Sequence, residues 1–263
     1  MFKQRLLTTL VLIPLVLWAI YYGNIWLLSG VVLMLMMGLG YEWINLIPLK
    51  VVLHQCIFML LLLLALLHSL FFRGWYLELI WPIWGLLVWA ILTYPASERY
   101  WGSPVVVAGL GLYSLSLALS CLTSLLLQEH GRLMLIYLLF LVWAVDIGAY
   151  VVGKPWGHHK LIKLVSPGKS WEGTLGGFSL GLLIAVLGYF YVVPQSAMTW
   201  FFSAILVMVM SMFGDLSISM FKRRCHLKDT GCLIPGHGGL LDRLDSMIVA
   251  LPFFYSVYPA QFQ

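Results

Sequence analysis

The stretch VVLHQCIFMLLLLLALLHSLFF, residues 51–72, decides the fold class. It contains no Asp, Glu, Lys or Arg and exceeds the roughly 18 residues that a helix needs to cross about 30 Å of hydrocarbon. In lipid the backbone must satisfy its own polar groups, and a helix does so within one segment. Comparable runs recur along the whole chain. Its 263 residues are 62% hydrophobic and 10% charged, with a mean hydropathy of +0.97, whereas soluble domains carry about 25% charged residues. An all-α polytopic integral membrane protein is expected. The apolar runs and their polar breaks predict nine transmembrane helices near residues 6–22, 25–41, 51–72, 75–94, 104–127, 132–152, 173–194, 199–221 and 246–260.

The start, Met1-Phe2-Lys3-Gln4-Arg5 before an apolar run, has the charge of a secretory signal but no small-x-small cleavage site after it, and reads as the first membrane helix. A cytoplasmic N-terminus puts Lys3, Arg5, Lys50, Arg99, Lys154, Lys160, Lys163, Lys169, Lys222, Arg223, Arg224, Lys228 and Arg243 on the cytoplasmic side. Only Arg73 and Arg132 of the 15 basic residues fall outside. That asymmetry supports the orientation and an odd number of spans. The net charge of +5 therefore suits a membrane surface rather than nucleic acid. Cys225 and Cys232, near His226 and His237, lack the usual zinc-ligand spacing and read as ordinary loop residues.

Polar chemistry divides the chain. Residues 1–130 hold four glutamates, Glu42, Glu78, Glu98 and Glu129, and no aspartate. Each lies near a predicted helix end and reads as a solvated charge or a headgroup partner, so this half is expected to be a scaffold and a lipid entrance. All five aspartates fall in residues 131–263, the expected catalytic region, with cytoplasmic loops over 153–172 and 222–245.

Asp146, in LVWAVDIGAYVVG, lies deep in an apolar pattern, where an ionisable group is costly and is by default a functional candidate. Gly148 and Gly153 beside it allow close approach of another backbone. The following loop carries Lys154, Lys160, Lys163 and Lys169 with His158 and His159, which read as solvated. Its stretch Ser166-Pro167-Gly168-Lys169-Ser170 has the composition of a phosphate-binding loop without being a Walker A motif; a plain basic loop explains it equally well. In the third constellation, GDLSISMFKRRCHLKDTGCLIPGHGGLLDRLDS, Asp215, Ser219 and Lys222 share one helix face at i, i+4 and i+7. Asp242 and Asp245 share another at i and i+3, with Arg243 about 100° away. Carboxylates on one face repel unless a cation separates them. Oxygen ligands beside phosphates suit Mg²⁺, while a favourable helix dipole is the simpler alternative for the last two.

These residues resemble the signature of the phosphatidate cytidylyltransferases, the CDP-diacylglycerol synthases. The match runs through Ser219, Phe221, Lys222, Arg223, Lys228, Asp229, Gly231, Ile234, Pro235, His237, Gly238, Gly239, Leu240, Asp242, Arg243, Leu244 and Asp245. SPGKSWEG, from Ser166, and DIGAY, from Asp146, also look like family segments, although Ile147 stands where the family has a hydroxyl residue. The resemblance covers about residues 140–250.

It implies transfer of a cytidylyl group from CTP to phosphatidic acid at the cytoplasmic face of the inner membrane. Asp215, Asp242 and Asp245 would hold Mg²⁺, alone or beside a second cation. Lys222, Arg223, Lys228 and Arg243 would neutralise phosphates, with His237 and the Gly238 and Gly239 amides lining the approach. Asp146, Ser166, Lys169 and Ser219 are the expected substrate-binding residues. Membrane lipid is an expected partner, nucleic acid is not, and a homodimer follows from family analogy. The rival readings are a CTP-dependent lipid-alcohol kinase, which would release CDP instead of pyrophosphate, and a transporter. A transporter would spread acidic residues over several helices at mid-membrane depth rather than cluster them.

Overall fold

A computed structural model describes residues 2–47, 51–234 and 238–257. The long helices are α1 (Phe2–Tyr22), α2 (Ile25–Ile44) and α3 (Val52–Phe71), followed by the shorter α4 (Arg73–Glu78), α5 (Ile80–Leu92) and α6 (Glu98–Trp101). Then come α7 (Pro104–Leu127), α8 (Gly131–Trp156), the strands β1 (Lys160–Ile162) and β2 (Ser166–Ser170), α9 (Trp171–Val192), α10 (Ala197–Arg224) and α11 (Leu241–Val257). Each predicted span overlaps a helix of the described residues, and residues 258–260 of the last lie outside them. Seven stretches among the described residues are long and apolar enough to cross a membrane: α2, α3, α4 with α5, α7, α8, α9 and α10. The protein is a helical, polytopic membrane protein.

Local chemistry sets several helix ends. Asn24 caps α2 by accepting from Leu27 N at 2.8 Å, and Ser103 caps α7 from Val106 N at 3.3 Å, with Pro104 in the first turn. At the end of α10, His226 turns left-handed (φ 55°), and the amides of His226 and Leu227 donate to Arg223 O and Lys222 O. This double closure stops the helix immediately after its three terminal cations.

Two differences from the expected boundaries bear on the site. The loop predicted over 153–172 is instead the last turn of α8 followed by an antiparallel hairpin, with Lys160 opposite Ser170 and Ile162 opposite Ser166. Two short strands with both outer edges open tolerate Pro167, and Ser170 leads into α9 by accepting from Gly173 N at 3.1 Å. Helix α11 begins at Leu241 rather than near 246, because carboxylates take up its first backbone donors.

The chain forms two compact units. In the first, comprising residues 1–76, 99–136 and 221–244, α3 and α2 pack on α7. Its core is centred on Trp43, whose indole donates to Val107 O at 3.0 Å and whose ring lies 5.7 Å from that of Phe221. The second comprises residues 77–98, 137–220 and 245–263. There a Cβ on Gly148 would fall 2.5 Å from Gly176 O, so glycine is what lets α8 and α9 touch backbone to backbone. Trp200, fully buried, donates to Ala185 O at 2.9 Å and lies 4.5 Å from the Tyr137 ring.

Candidate active site

In each unit a lysine meets an aspartate from another element. In the first, Lys222 at the end of α10 meets Asp242 at the start of α11, Nζ to Oδ1 at 2.6 Å. The two side chains are only 11% and 8% exposed. The other carboxylate oxygen, Oδ2, accepts from Thr230 N at 2.8 Å and Gly239 N at 3.2 Å, and Thr230 Oγ1 lies 3.0 Å away. Burial pushes the Asp242 carboxyl up, but the Lys222 and Thr230 bonds outweigh it and leave it below its ordinary value. Asp242 is thus an ionised, fully hydrogen-bonded carboxylate whose aim is fixed. Gly238 supplies the turn before it at φ 89°, and its carbonyl accepts from Ile234 N at 3.1 Å.

The Gly239 amide, expected to face substrate, is therefore held by Asp242. Arg223, Lys228, Asp229 and Arg243 are exposed around this loop, three cations with one carboxylate. His237 lies outside the described residues.

In the second unit, Lys169 on β2 meets Asp215 on α10, Nζ to Oδ2 at 2.6 Å, and Ser219 Oγ donates to Asp215 Oδ1 at 3.2 Å. The i, i+4 pairing of Asp215 with Ser219 is as the spacing predicts. This pair is more open, with side chains 25% and 31% exposed. Asp245 is half-buried, and its carboxylate feels the charges of Asp215, Lys169 and Asp146. Gly214 makes this possible: a Cβ there would fall 2.6 Å from Asp245 O, so the glycine lets α11 lie directly against α10 beside Asp215. Asp146 is exposed on α8 rather than buried among its neighbours, and Ser166 is half-buried on β2. Lys154 reaches Tyr150 Oη at 3.0 Å, and His159 bonds Glu172 at 2.6 Å.

Among the described residues no three His, Cys, Asp or Glu side chains form a ready metal cage. The donor chemistry of the second cluster nevertheless suits Mg²⁺, which keeps several waters and binds through one or two carboxylates plus substrate phosphates. Asp215 and Asp245 supply such oxygens, and the Lys169 ammonium pairs with Asp215 as a cation would.

Sequence reasoning missed three contributors: Gly214, Thr230 and Glu42. Glu42, expected to be a solvated or headgroup-facing charge, is 0% exposed and accepts from Leu240 N at 2.9 Å and Leu241 N at 2.7 Å, with Thr230 Oγ1 at 3.0 Å. The available signal was a lone carboxylate at the end of the second apolar run.

A family model described as the cytidylyltransferase family matches residues 3–260. The chain is similar to the phosphatidate cytidylyltransferase of Pseudomonas aeruginosa, at 39% identity over 97% of this chain and 96% of that one. It is similar to the protein of the same name from Haemophilus influenzae, at 38% over 66% and 65%. The likeness to that of Bacillus subtilis is 38% over 49% and 48%. With the match extending across both charged clusters and nearly end to end, the chain belongs to the cytidylyltransferase family.

Proposed function

We propose that this protein is a phosphatidate cytidylyltransferase, a nucleotidyltransferase that moves the cytidylyl group of CTP onto phosphatidic acid for phospholipid biosynthesis. The near full-length likeness to a relative of that name carries the reading. A phosphate oxygen of the lipid attacks the α-phosphorus of CTP and forms the new P–O bond. The bond from that phosphorus to the β-phosphate bridging oxygen breaks, and pyrophosphate leaves with the electron pair. The products are CDP-diacylglycerol and pyrophosphate. The nucleophile is already ionised at neutral pH, so the protein needs no strong base. Its work is to bring two polyanions together and stabilise charge on the leaving group.

The residues suit that work. Arg223, Lys228 and Arg243, exposed around the Asp242 loop, would bind the triphosphate and the lipid phosphate. Lys222 would hold Asp242 in place, and Ser219 would orient Asp215. Asp215 and Asp245 would hold Mg²⁺, with Asp242 one turn before Asp245 on the same face of α11 as the third carboxylate of the set. Bound there, the ion would offset negative charge on the phosphates. Lys169, Ser166 and Asp146 are proposed for the lipid-phosphate side, and His237 with Gly238 for the approach. The Lys and Arg distribution supports nine spans, a cytoplasmic N-terminus and a site on the cytoplasmic side of the inner membrane, where CTP is available and the lipid can enter laterally. A homodimer belongs to the same proposal by family analogy.

The test is purified protein in detergent with CTP, Mg²⁺ and phosphatidic acid. Pyrophosphate and CDP-diacylglycerol should appear in equal amounts. CDP release with transfer of a single phosphoryl group would replace this reading with a kinase.

A further inference from the structure

We infer that Glu42 is a positioning residue for the transfer: from α2 it holds Thr230, Leu240 and Leu241 and, through them, the aim of the Asp242 carboxylate. The inference rests on the placement of Asp242 in the active site. A carboxylate taken out of water is costly unless it is hydrogen-bonded, and Glu42 is 0% exposed. Its described bonds come from a segment nearly 200 residues away. Oε1 accepts from Leu240 N, and Oε2 accepts from Leu241 N, with Thr230 Oγ1 also in reach. The first backbone donors of a helix have no partner within it. Glu42 serves as a cap supplied by another helix, and its charge suits the positive end of α11.

Three further observations tie this cap to Asp242. Thr230 Oγ1 lies 3.0 Å from both Glu42 Oε2 and Asp242 Oδ2, and its amide also donates to Asp242, so one residue connects the two carboxylates. Its carbonyl accepts from Asn45 Nδ2 at 2.8 Å, which fastens Thr230 to the end of α2 a second time. The glycines complete the fit. A Cβ on Gly231 would fall 2.5 Å from Glu42 Oε1, and one on Gly239 would fall 2.5 Å from Glu42 Oε2 and 2.9 Å from Asp242 Oδ2. Gly239, expected to line the approach of the phosphates, and Gly231 therefore make room for a carboxylate behind the loop. A small misplacement of a group acting in the transition state costs rate more than ground-state binding.

The experiment measures kcat and CTP KM for CDP-diacylglycerol formation in detergent, beside the thermal midpoint of each variant. Glu42→Gln keeps the volume of the side chain but replaces one acceptor oxygen with a donor. It should lower kcat on the order of 10- to 100-fold, with KM within about threefold of wild type. In an Asp242→Asn background the same change should add no further loss. Thr230→Ser should stay within about threefold of wild type and Thr230→Val should lose about tenfold or more, which decides the matter if Glu42→Gln does not fold. Glu42→Gln with wild-type kcat, a loss that only follows the fraction of folded protein, losses that multiply with Asp242→Asn, or equal Thr230→Ser and Thr230→Val rates would each overturn the role. An Asp242→Asn variant at full rate would overturn it too. An active wild type with an equally active Glu42→Gln variant would sink Glu42's role alone, whereas a wild type that releases no pyrophosphate would sink the reaction and this role with it.

Discussion

Lys222–Asp242 and Lys169–Asp215 are ion pairs of the same length, 2.6 Å, in different surroundings. The first is almost sealed, and every oxygen of Asp242 has a donor. The second leaves a quarter to a third of each side chain exposed, and Asp215 faces a further carboxylate, Asp245. A sealed pair holds a shape, because separating it leaves a buried charge uncompensated. An open pair beside a second carboxylate can exchange its partner, which is what a site for phosphates and a hydrated cation requires. Distance alone does not distinguish structure from chemistry; access and the number of competing ligands do.

The largest effect is expected where the sealed pair is broken. Asp242→Ala should abolish measurable transfer and destabilise the protein by about 3–5 kcal/mol, read as a lowered unfolding midpoint in detergent. Asp215→Asn should lower kcat on the order of 10²- to 10³-fold while changing stability by about 1 kcal/mol or less. If it unfolded the protein as readily as Asp242→Ala, the contrast between the pairs would be broken. Lys228→Ala removes an exposed cation outside both pairs. It should raise CTP KM several-fold with kcat changed by less than about twofold, since such a contact binds ground and transition states alike.

The smallest effect is in acid. Folding holds the Asp242 carboxyl below its ordinary value of 3.8. Its contribution to stability is therefore complete above that value and is lost as pH falls through the lower folded one. The difference in unfolding midpoint between wild type and Asp242→Asn should be flat from pH 7 to about pH 5 and shrink below about pH 4. A difference that shrank near neutrality would mean that Asp242 is not the ionised partner described here.

Hydrophobic runs located the helices well because an apolar helix is a local unit whose backbone bonds are internal. The start of α11 was not legible for the opposite reason: its first donors are met by Glu42, distant in sequence, and no local pattern announces that. The hairpin was hidden by Pro167 and Gly168, which read as loop residues and are tolerated in a short open strand. Asp215, Lys222 and Asp242 were legible as charges that an apolar chain would not keep without use. Their pairings were not, because Lys222 and Lys169 are both basic residues of polar segments in the sequence, and only packing assigns each to a different aspartate. Glu42 was misread because a single carboxylate near a helix end looks the same whether it faces lipid headgroups or a buried turn.

The length of chain between Glu42 and its backbone donors has a consequence for biosynthesis. Leu240 and Leu241 follow it by 198 and 199 residues. At about 5–20 residues per second, the ribosome delivers them roughly 10–40 s after Glu42 itself. Throughout that interval the second helix carries an uncapped carboxylate, and a nascent chain stopped before residue 240 never acquires those two donors. The first unit therefore closes around Glu42 only after residue 241 has been made.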